Sequence, residues 1–231
     1  MRILVVDKVS LSRRLVRHIL TVNGPRLAFV YKTYLDGYDS KLSILGFGIV
    51  KDQSDEDDMQ VFIFDLKKSP GILHNGELWR LLSTDGIEKL CHDVDKLKKI
   101  LAVYDARLER ECDFQEIYRS YMADNGLPDR SISLQNLFGK YFPNKRDEFV
   151  KLSSLSQINL DWAKRPLLNG LLQDVYHEMA CLIELDPLIK RSPPEHSGLR
   201  LNNSLEPVKL PARRRKLRKK QWNILELTYR R

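Results

Sequence analysis

Apolar positions run along this chain in two rhythms. Over roughly the first third they come in short blocks, as strands require; after that they recur every three or four residues, as helices require. Residues 2–7 read Arg-Ile-Leu-Val-Val-Asp, a buried strand. Between 10 and 22, Leu11, Leu15, Val16, Ile19 and Leu20 fall at helical spacing with arginines opposite, Ser10 is placed to cap, and Gly24-Pro25 ends the run. Residues 26–33 and 42–50 read as two further strands, the second holding Gly46 and Gly48, with Asp36-Gly37-Tyr38-Asp39 as a hairpin turn between them. An acidic turn over 52–58 leads into 61–66, Val-Phe-Ile-Phe-Asp-Leu, a strand of the type buried on both faces.

Helical spacing then takes over. A short helix is expected over 76–82, a strand end over 89–92, and an amphipathic helix over 95–104 with Leu97, Ile100, Leu101 and Tyr104 on one face and Asp95 as its N-cap. Helices over 113–124 and 133–142 follow, the latter capped by Ser131 or Ser133, and a long helix over 169–185 is bounded by Asp186-Pro187. Strands first and helices after make an α/β or mixed-sheet fold.

Charge divides the chain. The net charge is +8, yet residues 191–231 hold 12 Lys/Arg against 3 Asp/Glu, while 1–190 hold 27 against 28. The body is electrically neutral and gives no global argument for nucleic acid; the tail does. Ser192-Pro193-Pro194 opens that tail as a polar linker, and 213–220 reads Arg-Arg-Arg-Lys-Leu-Arg-Lys-Lys. The expected organisation is a body over 1–190 and a basic linker and tail over 191–231. Cys91, Cys112 and Cys181 are odd in number and far apart, which suits reduced thiols rather than a disulfide framework. Ile3-Leu4-Val5-Val6, closed by Asp7, is too short for a signal segment or a membrane span, so no membrane association is expected.

Several short patterns recur in a telling order: Lys89-Leu-Cys-His92, Cys112-Asp113-Phe114, Ser133-Leu134-Gln-Asn-Leu137, Trp162 with Arg165-Pro166-Leu167, and Asp174 leading a helix that ends Leu182-Ile-Glu-Leu185. In that order, over residues 1–190, the chain resembles the RNase D type of 3′→5′ exonuclease domain of the DEDD superfamily. The resemblance implies an RNase H-like mixed β-sheet flanked by helices. It also implies a two-metal phosphodiester hydrolysis, in which carboxylates hold Mg²⁺ or Mn²⁺ ions that generate hydroxide and stabilise attacking and leaving oxygens.

The residues that chemistry needs are mostly missing. The family's strand pair of acids matches Tyr31 and Thr33, on a strand, Ala28-Phe29-Val30-Tyr31-Lys32-Thr33, that contains no acid. The next acid position, five residues after His92, is Leu97. The last acid is retained as Asp174, and the water-orienting position is Gly170, with Asn169 at the alternative. A single carboxylate does not hold two hard cations, so no bound metal or other cofactor and no catalysis are expected. His177 and Cys181, one helical turn apart, have no further metal ligand nearby in sequence and read as helix face and core. Gly46-Phe-Gly48 is no phosphate loop, since no Gly-Lys step follows at the required spacing.

The resemblance therefore implies a catalytically inactive exonuclease fold acting as an RNA-binding adaptor. It is nearest the exonuclease-domain proteins of small-RNA (piRNA) biogenesis, through His92-Asp93 and the decayed acids. Such proteins look like homodimers partnered with Tudor-domain proteins in the cytoplasm, including germline granules; the basic tail makes the nucleus the alternative. The expected RNA contacts, on single strands, are Arg213, Arg214, Arg215, Lys216, Arg218, Lys219 and Lys220. The expected pairing surface lies within 95–145, where Tyr118, Tyr121 and Phe142 stand among charged residues. Two other readings stand beside this one: an active exoribonuclease with a rearranged site of Asp36, Asp39, Asp93 and Asp174, and a protein-only scaffold.

Overall fold

A computed structural model describes residues 2–21, 26–49, 59–145 and 162–191. All belong to the first of two units, Met1–His196 and Ser197–Arg231. The expected helix stop at Gly24-Pro25, the acidic turn over 52–58, and the tail with all seven expected RNA contacts lie outside the described residues.

Among the described residues six strands form: β1 (Arg2–Val6), β2 (Arg26–Asp36), β3 (Asp39–Ile49), β4 (Gln60–Asp65), β5 (Glu88–Cys91) and β6 (Glu111–Asp113). They form one sheet in the order β1-β4-β3-β2-β5-β6. β2 and β3 make the antiparallel hairpin that Asp36 to Asp39 closes, β3 and β4 are also antiparallel, and β1–β4, β2–β5 and β5–β6 are parallel. The hairpin turn is tight because Gly37 takes a positive φ of 63°. The helices are α1 (Val9–Thr21), α2 (Leu78–Ser83), α3 (Asp95–Val103), α4 (Phe114–Asp124), α5 (Leu134–Tyr141) and α6 (Asn169–Ile189). The expected α/β class with an RNase H-like mixed sheet is what the chain adopts.

Two boundaries differ from expectation, and one open alternative is decided. Asp95 does not cap α3; Val94 holds that position, and the carboxylate that collects the free backbone N–H groups is Asp113, which accepts from Asp93 and Val94 as well as from Gln115 in its own helix. Ser133, not Ser131, caps α5 by accepting from the Asn136 N–H. α6 runs through Pro187 to Ile189. Proline there removes one helical bond, but Ile189 is buried, and Asp186 beneath it is gripped by Arg26 at 2.5 Å and Lys190 at 2.8 Å. Lys190 and Arg26 also reach Glu88, so the last turn of α6 is tied to the starts of β2 and β5.

One face of the sheet presents Ala28, Val30, Ile44, Val61 and Ile63 to α4, α5 and α6. The other carries the aromatic group Phe29, Phe47 and Phe64, with ring centroids 5.0 and 5.7 Å apart. Tyr118 is buried in the first core, while Tyr121 and Phe142 are half-buried against it, Phe142 stacking on Phe138 at 4.6 Å. The aromatics expected to form a pairing surface therefore face the core. Exposed apolar side chains in this region are Val103 and Tyr104, at the end of α3.

α6 lies very close to β3, and two glycines make room for it. A Cβ at Gly46 would stand 2.4 Å from Met179 Cε and 3.2 Å from Val175 Cγ1; one at Gly48 would stand 3.0 Å from Met59 Sδ and 3.1 Å from Met179 Sδ. Gly46→Val should overpack this seam and cost about 1–3 kcal/mol. Urea unfolding should show a lower midpoint with unchanged slope; an unmoved midpoint would mean that the helix does not rest on the strand.

Candidate functional site

Asp174, which the resemblance matches to the last acid, sits on the second turn of α6, half-buried. The next turn brings Glu178 to the same flank of the helix. From the sheet, Lys32 of β2 meets it: the Lys32 ammonium bonds Glu178 Oε1 and also lies 5.6 Å from the centre of the Trp162 ring. These side chains are 21% and 31% exposed, so the pair is partly open to solvent rather than sealed in the core.

Trp162 opens the turn that leads into α6, and a buried network holds that turn on the sheet. Arg165 grips Asp65 with two bonds of 2.6 Å, Nε to Oδ2 and Nη2 to Oδ1. It donates further to Ser43 Oγ at 2.9 Å and to the Trp162 carbonyl at 3.0 Å, which also accepts from Ser43 Oγ at 2.6 Å. Lys67 adds a bond to the Ala163 carbonyl at 2.6 Å and lies 4.4 Å above the Tyr34 ring. Asp65 is 2% exposed, and the Arg165–Pro166 bond is cis. The Trp-to-Pro pattern of the sequence is thus a clamp between the start of α6 and the ends of β3 and β4.

Not every expected position lies on this side of the sheet. Alternate residues of a strand face opposite sides, and the residues of β2 that meet α6 are Ala28, Val30 and Lys32. Tyr31 and Thr33 point the other way. The Tyr31 hydroxyl donates to the Asp93 carbonyl at 3.0 Å, and Thr33 Oγ1 accepts from Lys96 at 3.5 Å. Burial, with the negative charges of Asp93, Asp113 and Asp95 nearby, pushes the Tyr31 phenol up to about 12. Leu97 is wholly buried. Gly170 is exposed, with open space where a side chain would project. Asp36 and Asp39 close the hairpin, Asp36 paired with Lys41 at 2.5 Å. Asp36 lies four residue steps along the strand from Lys32, about 13 Å, and among the described residues no three of Asp, Glu, His or Cys gather as a metal site.

His92 is half-buried near this region, and burial pushes its imidazole down. His177 is also half-buried and Cys181 fully so, as expected for helix face and core. Lys89 is a surprise. It is fully buried within β5, donates to the carbonyls of Thr84 at 2.5 Å and Glu109 at 2.7 Å, and burial brings its ammonium down to about 8. Sequence reasoning missed Lys32 and Glu178 as partners. Only the phase of β2 could have revealed them: if Val30 faces the α6 side then Lys32 does too, and a lysine on that face needs an acid.

No protein-family model matches this chain, and no curated protein matches it. Solved structures do. RNase D of Trypanosoma brucei, in complex with RNA U12, superposes with a TM-score of 0.64 at 15% identity, covering 83% of this chain and 63% of that one. Escherichia coli RNase D, an exoribonuclease involved in structured RNA processing, gives 0.56 at 17% identity over 83% of this chain and 45% of that one. The EXO domain of Aedes aegypti Nibbler gives 0.56 at 16% identity, covering 82% of this chain and 88% of the domain. The chain thus has the 3′→5′ exonuclease fold of the RNase D type, and it spans less than two thirds of the T. brucei enzyme.

Arg165 and Asp65 make a buried pair, and removing one partner strands the other. Arg165→Met should cost about 3–5 kcal/mol, and Asp65→Leu in the same chain should recover much of that loss. Chemical denaturation of the parent, single and double variants checks it. A single variant within ~0.5 kcal/mol of the parent would mark the pair as a surface contact.

Proposed function

We propose that this protein is an exonuclease fold that binds RNA without degrading it, an adaptor rather than an enzyme. The observation that carries the proposal is the make-up of the strand positions that, by the resemblance, would hold the metals: neither Tyr31 nor Thr33 is an acid, and their side chains are engaged with the Asp93 carbonyl and with Lys96. The residues present do not fit a two-metal centre. Positions 30–33 read Val-Tyr-Lys-Thr, so either phase of the strand lacks an acid, and Leu97 is buried among apolar side chains.

RNA binding is supported by two independent features. T. brucei RNase D, which shares the fold, was solved with RNA. The sequence also carries seven cations within 213–220. The small-RNA setting, a second copy and a Tudor-domain partner rest on the resemblance alone, through His92-Asp93 and the lost acids. The inward-facing Tyr118 gives the pairing surface no support. Among the described residues no helix is long and apolar enough to cross a membrane.

The full chain should leave 5′-labelled single-stranded RNA intact with Mg²⁺ or Mn²⁺. It should bind that RNA with little sequence preference and with a steep salt dependence, each neutralised phosphate adding about 0.7 to the log–log slope. Deleting 212–231 should flatten the slope. A ladder of shortened RNA that disappears in Asp174→Asn would overturn the proposal; affinity and slope untouched by the deletion would move the RNA contact to the body.

A further inference from the structure

The body is neutral as a whole but not everywhere. α1 carries Arg13, Arg14 and Arg17 and no acid, and α2, which packs against it, adds Arg80. One carboxylate gathers three of these arginines. Glu77, at the N-cap of α2, accepts from Arg17 Nη2 at 2.5 Å and Nε at 3.1 Å and from Arg80 Nη1 at 2.8 Å, and Arg13 Nε stands 3.5 Å from it. Arg17 above all, with Arg80, holds the Glu77 carboxyl down to about 2. A tie between two helices needs one ion pair. A second and a third guanidinium on the same carboxylate repel the first, and exposed pairs contribute little to stability. The arrangement therefore keeps surplus positive charge in one place, with Arg13, Arg17 and Arg80 all exposed to solvent.

An aromatic side chain lies beside that charge. Trp79, 43% exposed, lines a shallow hollow of about 330 Å³ with Leu20, Arg80, Ser83 and Thr84. Leu20 is one turn beyond Arg17 on α1, so the hollow and the arginines are continuous. Among the described residues neither helix adds a side chain to the core beneath α6. We propose that this α1–α2 face is a contact for single-stranded RNA: Arg13, Arg17 and Arg80 take backbone phosphates, and the Trp79 indole stacks on a base. The proposal rests on the reading that the chain binds RNA, and it adds a contact on the body to the basic run at 213–220. Cations along the backbone with an indole under a base are what single strands offer partners for, whatever their sequence. Guanidiniums already oriented by Glu77 lose less freedom when a phosphate arrives. An acidic peptide would answer the charge but has no base to lay on the ring, and a duplex keeps its base faces stacked.

The test measures binding of fluorescein-labelled single-stranded RNA to the full chain by anisotropy across a KCl series. At fixed salt Trp79→Ala should weaken binding roughly 5- to 100-fold, and Trp79→Phe should restore most of it. The double variant Arg13→Gln/Arg17→Gln should lower the log–log salt slope by about 1.4, two phosphate contacts' worth, while Arg13→Lys/Arg17→Lys should keep the slope. If the glutamine pair fails to fold, Arg80→Gln, which leaves Arg17 on Glu77, should lower it by about 0.7. A merely structural role for the arginines would shift the thermal midpoint and leave the slope alone. An unchanged affinity in Trp79→Ala, or an unchanged slope in the folded glutamine variants, overturns the proposal and leaves the adaptor reading standing. Poly-L-glutamate that binds the parent as tightly as RNA, and loses that binding in the glutamine variants, also overturns it, since the face would then read acidic peptide. A parent that binds no RNA sinks both. A parent that shortens RNA while its binding still depends on Trp79 sinks the adaptor reading alone.

Discussion

The close approach of α6 to β3 across Gly46 and Gly48 is the constraint on which the rest of this structure depends. With no side chains on those two residues, Met179 and Val175 settle onto the strand backbone. The helix axis is thereby fixed against the hairpin, and Glu178 falls within reach of Lys32 on the neighbouring strand. A bulkier residue at either glycine would lift the helix from the strand. Those glycines lie inside a strand, where glycine weakens local structure, which marks their use as packing.

Two polar anchors secure the same helix at its ends. At the entry, Arg165 binds Asp65, Ser43 and the Trp162 carbonyl; at the exit, Asp186 and Lys190 bind Arg26 and Glu88. Burying an ion pair costs desolvation that attraction offsets only when the remaining hydrogen bonds are made. At Arg165 they are made, so the pair specifies where the helix begins more than it adds stability. A helix pinned at both ends and in the middle is held in place by the chain's own contacts.

Much of this was legible in the sequence. Apolar blocks gave β1 to β4, Asp36 to Asp39 gave the hairpin, and Trp162 with Arg165-Pro166 marked the entry to the last helix. The phase of β2 was not legible. Residues 27–30 are apolar on both faces, so the pattern carries no alternation to say which side Tyr31 or Lys32 takes. β6 was too short to stand out from the helix that follows it, although its last residue, Asp113, organises three backbone donors. The run of α6 past Pro187 depends on tertiary ion pairs that no local rule contains. Lys89 is hidden for a similar reason: only the fold brings the carbonyls of Thr84 and Glu109 around it.

The central claim is that this exonuclease fold works without a two-metal centre. Its most direct test is a crystal of the full chain soaked in MnCl₂, with anomalous diffraction measured at the manganese edge. The account predicts no anomalous peak beside Asp174, Tyr31 or Thr33. A peak there, with the Asp174 carboxylate coordinating the ion, would contradict it.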